Sequence, residues 1–208
     1  MRVFLSWALR AALILAALAS GDLCRISAQV IEFETGGLKY QSLTRGGVTI
    51  MCARLSTHLK EYSMIQVAVT NGSDSYATIS PENFAYSRTD GHLIRAASAN
   101  TVVEGVMEHG DHSDLVKLVT TYENAIYGIP NMKVMNGYEK RRQAALGEGS
   151  SARFKAAAAA SAIALTPSRV PPGQSTDGAV FFPTGGKVFP PGHIVVKTAT
   201  QTWDFNPE

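Results

Sequence analysis

Hydrophobic and polar positions alternate along one stretch of the chain, recur at helical spacing along the next, and then alternate again. Over 48–97 the period is two. Ile65, Val67 and Val69 alternate with Gln66, Ala68 and Thr70, the pattern of a half-buried strand. Asn71-Gly72-Ser73-Asp74 ends it with turn chemistry. A short strand over 76–79 follows, and Pro81 breaks the ladder. Phe84-Ala85-Tyr86-Ser87-Arg88 carries aromatics at alternate positions. Asp90-Gly91 then separates it from His92-Leu93-Ile94-Arg95-Ala96, which predicts a hairpin closed by a type I′ turn.

Between 98 and 165 the spacing becomes helical. Asn100 is placed to cap a short helix through Met107, and Ser113 to cap another. Leu115, Leu118, Val119, Tyr122 and Ile126 form one apolar stripe, which Gly128 and Pro130 stop. Asn136-Gly137-Tyr138-Glu139 reads as a capping box opening a charged helix over 139–146. Ser150 restarts the helix, and 152–164 continues it through five successive alanines, Ala156 to Ala160. Alanine has the best helix propensity and little bulk, so this helix can lie close against another surface while burying little area itself.

After Pro167 the period returns to two. Pro171-Pro172-Gly173 is a turn, and Ala179-Val180-Phe181-Phe182 a short apolar strand. Ile194 and Val196, then Trp203 and Phe205, alternate with their neighbours. Strands on both sides of a helical stretch most simply rejoin in one sheet system. The expected fold is α+β: an antiparallel β-sandwich over 29–208 with a helical insertion over about 98–165. That insertion either covers a face or edge of the sheets or forms a recognition surface. No internal repeat is visible.

Composition agrees with a folded domain. Of 208 residues, 45% are hydrophobic and 17% charged, with 18 Gly and 9 Pro. Those shares exclude long disorder, a fibrous repeat and a disulfide-dense mini-protein.

The first 28 residues read as an export signal. Arg2 and Arg10 precede an uncharged run of Ala, Leu and Ile over 11–19, and small residues recur up to Ala28. A spanning helix needs ~20 apolar residues, and Arg10 limits the clean run to less than half of that. Cleavage is expected after Ala28, with Ala19 as the alternative; Leu23 argues against a lipid-anchored Cys24.

Removal of that segment deletes Arg2, Arg10, Arg25 and Asp22. Lys plus Arg falls from 19 to 16 and Asp plus Glu from 17 to 16, so a net charge of +2 becomes zero. The mature chain has no cationic field of the kind nucleic acid requires. Cys52 is left alone in an apolar stretch, which reads as a small buried hydrophobe rather than a disulfide partner.

Two segments resemble exported bacterial immunoglobulin-like domains of unassigned function. One is Val67-Ala68-Val69-Thr70-Asn71, leading through Pro81-Glu82-Asn83-Phe84 to Asp90-Gly91. The other is Val170-Pro171-Pro172-Gly173, leading to Gly178-Ala179-Val180-Phe181-Phe182. The resemblance covers the two β portions and not 98–165. It implies an immunoglobulin-like sandwich and an envelope setting, and it carries no catalytic residues.

Chemical candidates are few. Glu108-His109-Gly110-Asp111-His112-Ser113-Asp114 is the densest polar cluster, and His109, Asp111 and His112 are candidate zinc ligands. The competing reading is a polar loop whose Asp111 and Asp114 complement the dipole of the following helix. No nucleophile elbow, phosphate loop or dinucleotide fingerprint occurs. Glu139-Lys140-Arg141-Arg142 reads as a surface face, with an acidic partner or lipid head groups as the functional alternative. Tyr122, Tyr127, Tyr138 and Trp203 are either core packing or an aromatic platform. The expectation is therefore a non-catalytic exported module (periplasmic, cell-envelope or secreted) without cofactor, nucleic-acid partner or transmembrane segment, which binds a protein or surface polymer. The alternative is a small exported metal-dependent hydrolase centred on His109, Asp111 and His112.

Overall fold

The computed structural model describes residues 29–127, 138–147 and 151–206. The export signal at 1–28, the helix stop at Gly128 and Pro130, the Asn136 capping box and the Ser150 restart lie outside the described residues.

Two glycine pairs organise the first half. β1 (Ile31–Thr35), β2 (Leu38–Arg45), β3 (Val48–Leu59) and β4 (Tyr62–Asn71) form an antiparallel meander. Gly36 and Gly37 have φ of 58° and 75°, and Gly46 and Gly47 of 53° and 78°. Positive φ at both central residues is what a two-residue type I′ hairpin turn demands. β1 and β2 therefore add to the strands expected from 48 onward.

The far edge of β4 pairs with β9 (Ser175–Pro183), giving the sheet order β1-β2-β3-β4-β9. A second antiparallel sheet has the order β11 (Thr202–Asp204), β10 (Gly192–Lys197), β6 (Phe84–Arg88), β7 (Leu93–Arg95). β5 (Ala77–Ile79) and β8 (Ser168–Val170) make a two-stranded ribbon. Strands from before and after the helical stretch are thus neighbours in all three sheets.

The helices are α1 (Ala99–His109), α2 (His112–Tyr127), α3 (Tyr138–Gly147) and α4 (Ala152–Ile163). They lie on one face of the five-stranded sheet, and the four-stranded sheet lies on the other. Two cores result. Ile65, Val67 and Val69 face Phe84, Tyr86, Ile194 and Val196 between the sheets, where Trp203 donates its indole N–H to Val48 O at 3.2 Å. Met64 and Phe181 face the helices. β4 is consequently buried on both faces, not half-buried as its alternation suggested, because the helical layer covers the second face. The described helices of the insertion thus cover a sheet face. Ala156, Ala157, Ala159, Ala160 and Ala162 are all buried, and their small side chains let α4 contact each of the other three helices.

The flanks of the helical stretch also seal an edge. Ala97 N donates to Phe181 O and Leu165 N to Ala179 O, each at 2.8 Å, so the outer edge of β9 is closed at both positions. An unpaired edge there would invite association with another chain.

The end of β4 and the turn over 171–174 meet at Asn71. Asn71 N donates to Gln174 O at 2.9 Å, and Gly173 N donates to Asn71 O at 2.6 Å. The Asn71 amide donates to Ser75 O and Val170 O, and its Oδ1 accepts from Ser73 N.

Three local expectations are corrected. The β6–β7 hairpin exists, but only Gly91 of its Asp-Gly pair has positive φ, at 84°. Gly91 N donates to Arg88 O and Arg88 N to His92 O, a three-residue loop in place of a type I′ turn. α1 is capped by Ser98, whose Oγ accepts from Thr101 N at 3.2 Å, two residues before Asn100. Ser113 lies inside the first turn of α2; the cap is Asp111, as described below. α4 is capped by Ser151, whose Oγ accepts from Phe154 N.

Candidate functional site: a groove beside β3

β2 and β3 begin as a regular hairpin and then part. Their pairing ends at Tyr40 opposite Ala53, whereas β3 runs on to Leu59. Opposite β4 the register slips between Arg54 and His58: Arg54 faces Ile65 and His58 faces Ser63, so Leu55, Ser56 and Thr57 all stand against Met64. A bulge of this kind bends the strand and re-aims its side chains. Alternation nevertheless persists. Leu55 and Leu59 are buried under the helices, and Thr57 is within 3.1 Å of Thr121 on α2. Arg54, Ser56 and His58 are exposed on the opposite face.

The split and the polar row form a groove of about 540 Å³, within the size range of ~300–1,000 Å³ common to ligand sites. One wall is the β1–β2 hairpin, with Glu32, Lys39 and Gln41. The other is the loop before β10, with Val188 and Phe189. Val188 is 84% exposed.

The loop wall is held firmly. Phe189 packs at 4.7 Å on Tyr86 and 5.6 Å on Phe182. Tyr86 donates its hydroxyl to Pro190 O at 2.7 Å, and Ser63 donates to Lys187 O at 2.7 Å. The Arg54 guanidinium lies 5.2 Å from the Tyr86 ring centre and 5.9 Å from that of Phe189, and its Nη2 donates to Gly192 O at 2.7 Å. Burial raises the Tyr86 phenol above its ordinary range, with Arg54 opposing. On the hairpin side, Gln41 donates to Glu32 Oε1 at 2.7 Å. Cys52 is buried in the groove floor, and burial pushes its thiol far up, which disfavours the thiolate a nucleophile needs.

Behind the groove the Tyr40 hydroxyl lies 2.7 Å from Gln66 Oε1 and 2.9 Å from Ala125 O at the end of α2. Burial raises this phenol to about 12.

Comparison with known proteins found no matching family model, no similar curated protein and no similar solved structure.

The cluster around His109 is arranged differently from a metal centre. Asp111 N donates to Asp114 Oδ2 at 2.9 Å, and Asp114 N donates to Asp111 Oδ1 at 3.0 Å. This is a reciprocal capping box on α2. Lys60 joins both carboxylates, at 2.8 Å from Asp114 and 3.3 Å from Asp111. His109 Nδ1 stands 3.7 Å from Glu108 at the surface, and His112 is exposed in the first turn of α2. Among the described residues no three His, Cys, Asp or Glu side chains come together as a metal-binding group.

The aromatic platform is divided. Tyr122 and Tyr138 pack at 5.0 Å beneath the helices, where Tyr122 also bonds to the buried Asp177 carboxylate. Trp203 lies in the other core, between the sheets. The side chain of Tyr127 lies outside the described residues. In the basic step, Arg142 pairs with Glu123 at 2.5 Å and Lys140 is exposed. No helix among the described residues is long and apolar enough to cross a membrane.

Of the groove lining, the sequence pattern marked Cys52 and Ile194, neither as a site residue, and none of the polar side chains. The signal for its hairpin wall was the spacing of Gly36-Gly37 and Gly46-Gly47. Nothing local marks where β2 and β3 separate.

Proposed function

We propose that this chain is an exported, non-catalytic binding module of the immunoglobulin-like sandwich type, which recognises a protein or surface polymer through the groove beside β3. The observation that carries this reading is the groove itself. It is lined by polar side chains from β1, β2 and β3, and its loop wall is fixed by aromatic packing and by the Ser63 and Tyr86 hydroxyls, which donate to Lys187 O and Pro190 O. Such pre-positioning lowers the ordering cost of binding. The sandwich type is supported by the joining of Asn71 to the Pro171-Pro172-Gly173 turn. Export is supported by the charge and hydropathy pattern of residues 1–28.

Two measurements test it. N-terminal sequencing of the processed protein is expected to find a start at Gln29, or at Ser20 for the alternative cleavage. Immobilised protein is expected to retain a component of envelope extract, and a variant with Arg54→Ala and His58→Ala is expected to lose it. Equal retention by a folded variant would remove the groove from the proposal.

A further inference from the structure

The polar row of the groove is also a strand edge with no partner. β3 has β4 on one side, before and after the bulge at 55–57, but β2 only as far as Ala53. Among the described residues no backbone bond from another segment reaches the Arg54–His58 edge. Free N–H and C=O groups along an extended strand form a template for one more strand.

We propose that the groove takes an extended peptide as an added strand along Arg54–His58, with alternating acidic and apolar side chains. This rests on the binding-module reading and deepens it. Five residues of β3 span about 16 Å at ~3.3 Å per residue, so the docked segment is short. Its side chains must point alternately to the two faces of the sheet. On one face they meet Arg54, Ser56 and His58. On the other they meet Leu38 and Leu55, which pack towards the helical core.

Charge selects the polar half of the pattern. Among the described residues neither Arg54 nor Lys39 is in an ion pair, whereas the nearby Glu32 carboxylate is engaged by Gln41. The Arg54 guanidinium is held flat over Tyr86 and Phe189, with one nitrogen committed to Gly192 O. Its remaining N–H groups suit a carboxylate. A sugar chain fits less well. The Phe189 ring that would stack on it is already occupied by Tyr86, Phe182 and Arg54.

The test pans phage-displayed random heptapeptides against the purified full chain, then synthesises the enriched peptide with single N-methylated amides. Enrichment of alternating acidic and apolar sequences is expected. Methylation at every second amide is expected to weaken binding about tenfold, and at the intervening amides much less. Ser56→Pro, which removes one edge donor, and Arg54→Glu are each expected to weaken it at least as much, with the circular dichroism spectrum unchanged. Because either variant can disturb folding, hydrogen exchange on the unaltered protein gives an independent readout: peptide is expected to slow exchange at Arg54, Ser56 and His58. Peptide binding indifferent to N-methylation overturns the added strand. So does Arg54-dependent binding of a soluble envelope polysaccharide in the absence of any peptide binder, which leaves the binding-module reading standing. Binding of neither probe class overturns both, as does protection only on β1, which marks association of two copies of the chain.

Discussion

The Lys60 ammonium lies 2.8 Å from the Asp114 carboxylate, and so the tip of the β3–β4 hairpin is fastened to the first turn of α2. Asp114 is 3% exposed, and Lys60, at 33%, is its cationic cover. Lys60 is also the one residue other than glycine with positive φ among the described residues, at 50°. The hairpin thus keeps a side chain where its backbone would favour glycine, and the ion pair is the compensation.

Substitutions at Lys60 separate these two effects. Lys60→Ala is expected to lower stability by about 1–2 kcal/mol, because a nearly buried carboxylate loses a charged hydrogen bond that water partly screens. Lys60→Gly loses the same pair but relieves a left-handed backbone, which costs other residues ~1–2 kcal/mol. It is therefore expected to unfold at higher urea concentration than Lys60→Ala. The reverse order in urea titrations would show that the positive φ at this position carries no strain for glycine to relieve.

The same cluster sets a pH window. The Asp111 carboxyl is held below its ordinary 3.8, first by the Asp114 backbone N–H and then by Lys60. Its contribution is present above pH ~4 and is lost as pH falls through the depressed folded value. Lys60 is raised above 10.5, chiefly by its bond to Asp114, so its contribution is present below that pH and is lost as pH rises through the folded value. Asp111→Asn keeps a good N-cap and removes the charge. The difference in Tm between the unaltered chain and this variant is expected to stay constant from pH ~5 to ~9 and to shrink in acid. A difference that grows on acidification would refute the assignment.

Local signals carried much of this fold into the sequence. The alternation at Ile65, Val67 and Val69 located β4, the stripe Leu115-Leu118-Tyr122 located α2, and Asn71 and Gly173 marked the turns that meet at one end of the sandwich. What stayed hidden depends on distant partners. Gln66 and Ala68 read as the exposed side of a strand and are buried, because four helices arrive from elsewhere in the chain. Asp111 and Asp114 read as either ligands or caps until Lys60, some fifty residues earlier, is brought beside them. The groove was illegible for the same reason: Arg54, Ser56 and His58 alternate like any strand, and only the departure of β2 frees their edge.

Tyr40 and Gln66 allow a test of the buried polar contact behind the groove. Tyr40→Phe removes the hydroxyl 2.7 Å from Gln66 Oε1, and Gln66 Nε2 already has no hydrogen-bond partner among the described residues. A buried amide with both ends unsatisfied is expected to cost about 1–3 kcal/mol. Adding Gln66→Leu to Tyr40→Phe removes that amide, so the double variant is expected to be more stable than the single one. Alkali gives a second signature. The Tyr40 phenol ionises near 10 when unfolded and at about 12 when folded, so its contribution is intact below pH 10 and is lost as pH rises through 12. Tyr40→Phe is expected to flatten that decline in a series of alkaline melts.

Gly178 gives the sharpest packing prediction. A Cβ there would lie 2.4 Å from Leu165 Cα and 2.5 Å from Leu165 N, contacts that flexible side chains cannot relieve. Leu165 N is also the donor that closes the edge of β9 on Ala179 O, so a methyl group at 178 must push the chain leaving α4 off the strand. Gly178→Ala is expected to cost about 1–3 kcal/mol by overpacking, and more if the backbone bond breaks outright. It is also expected to speed hydrogen exchange at the Leu165 amide. Gly105 on α1 is the control: a Cβ there meets nothing within 4 Å, and Gly105→Ala is expected to stabilise the chain by ~0.5–1 kcal/mol through helix propensity. If both alanine variants shift the denaturation midpoint in the same direction, the close seat of Leu165 against β9 is not what makes glycine necessary at 178.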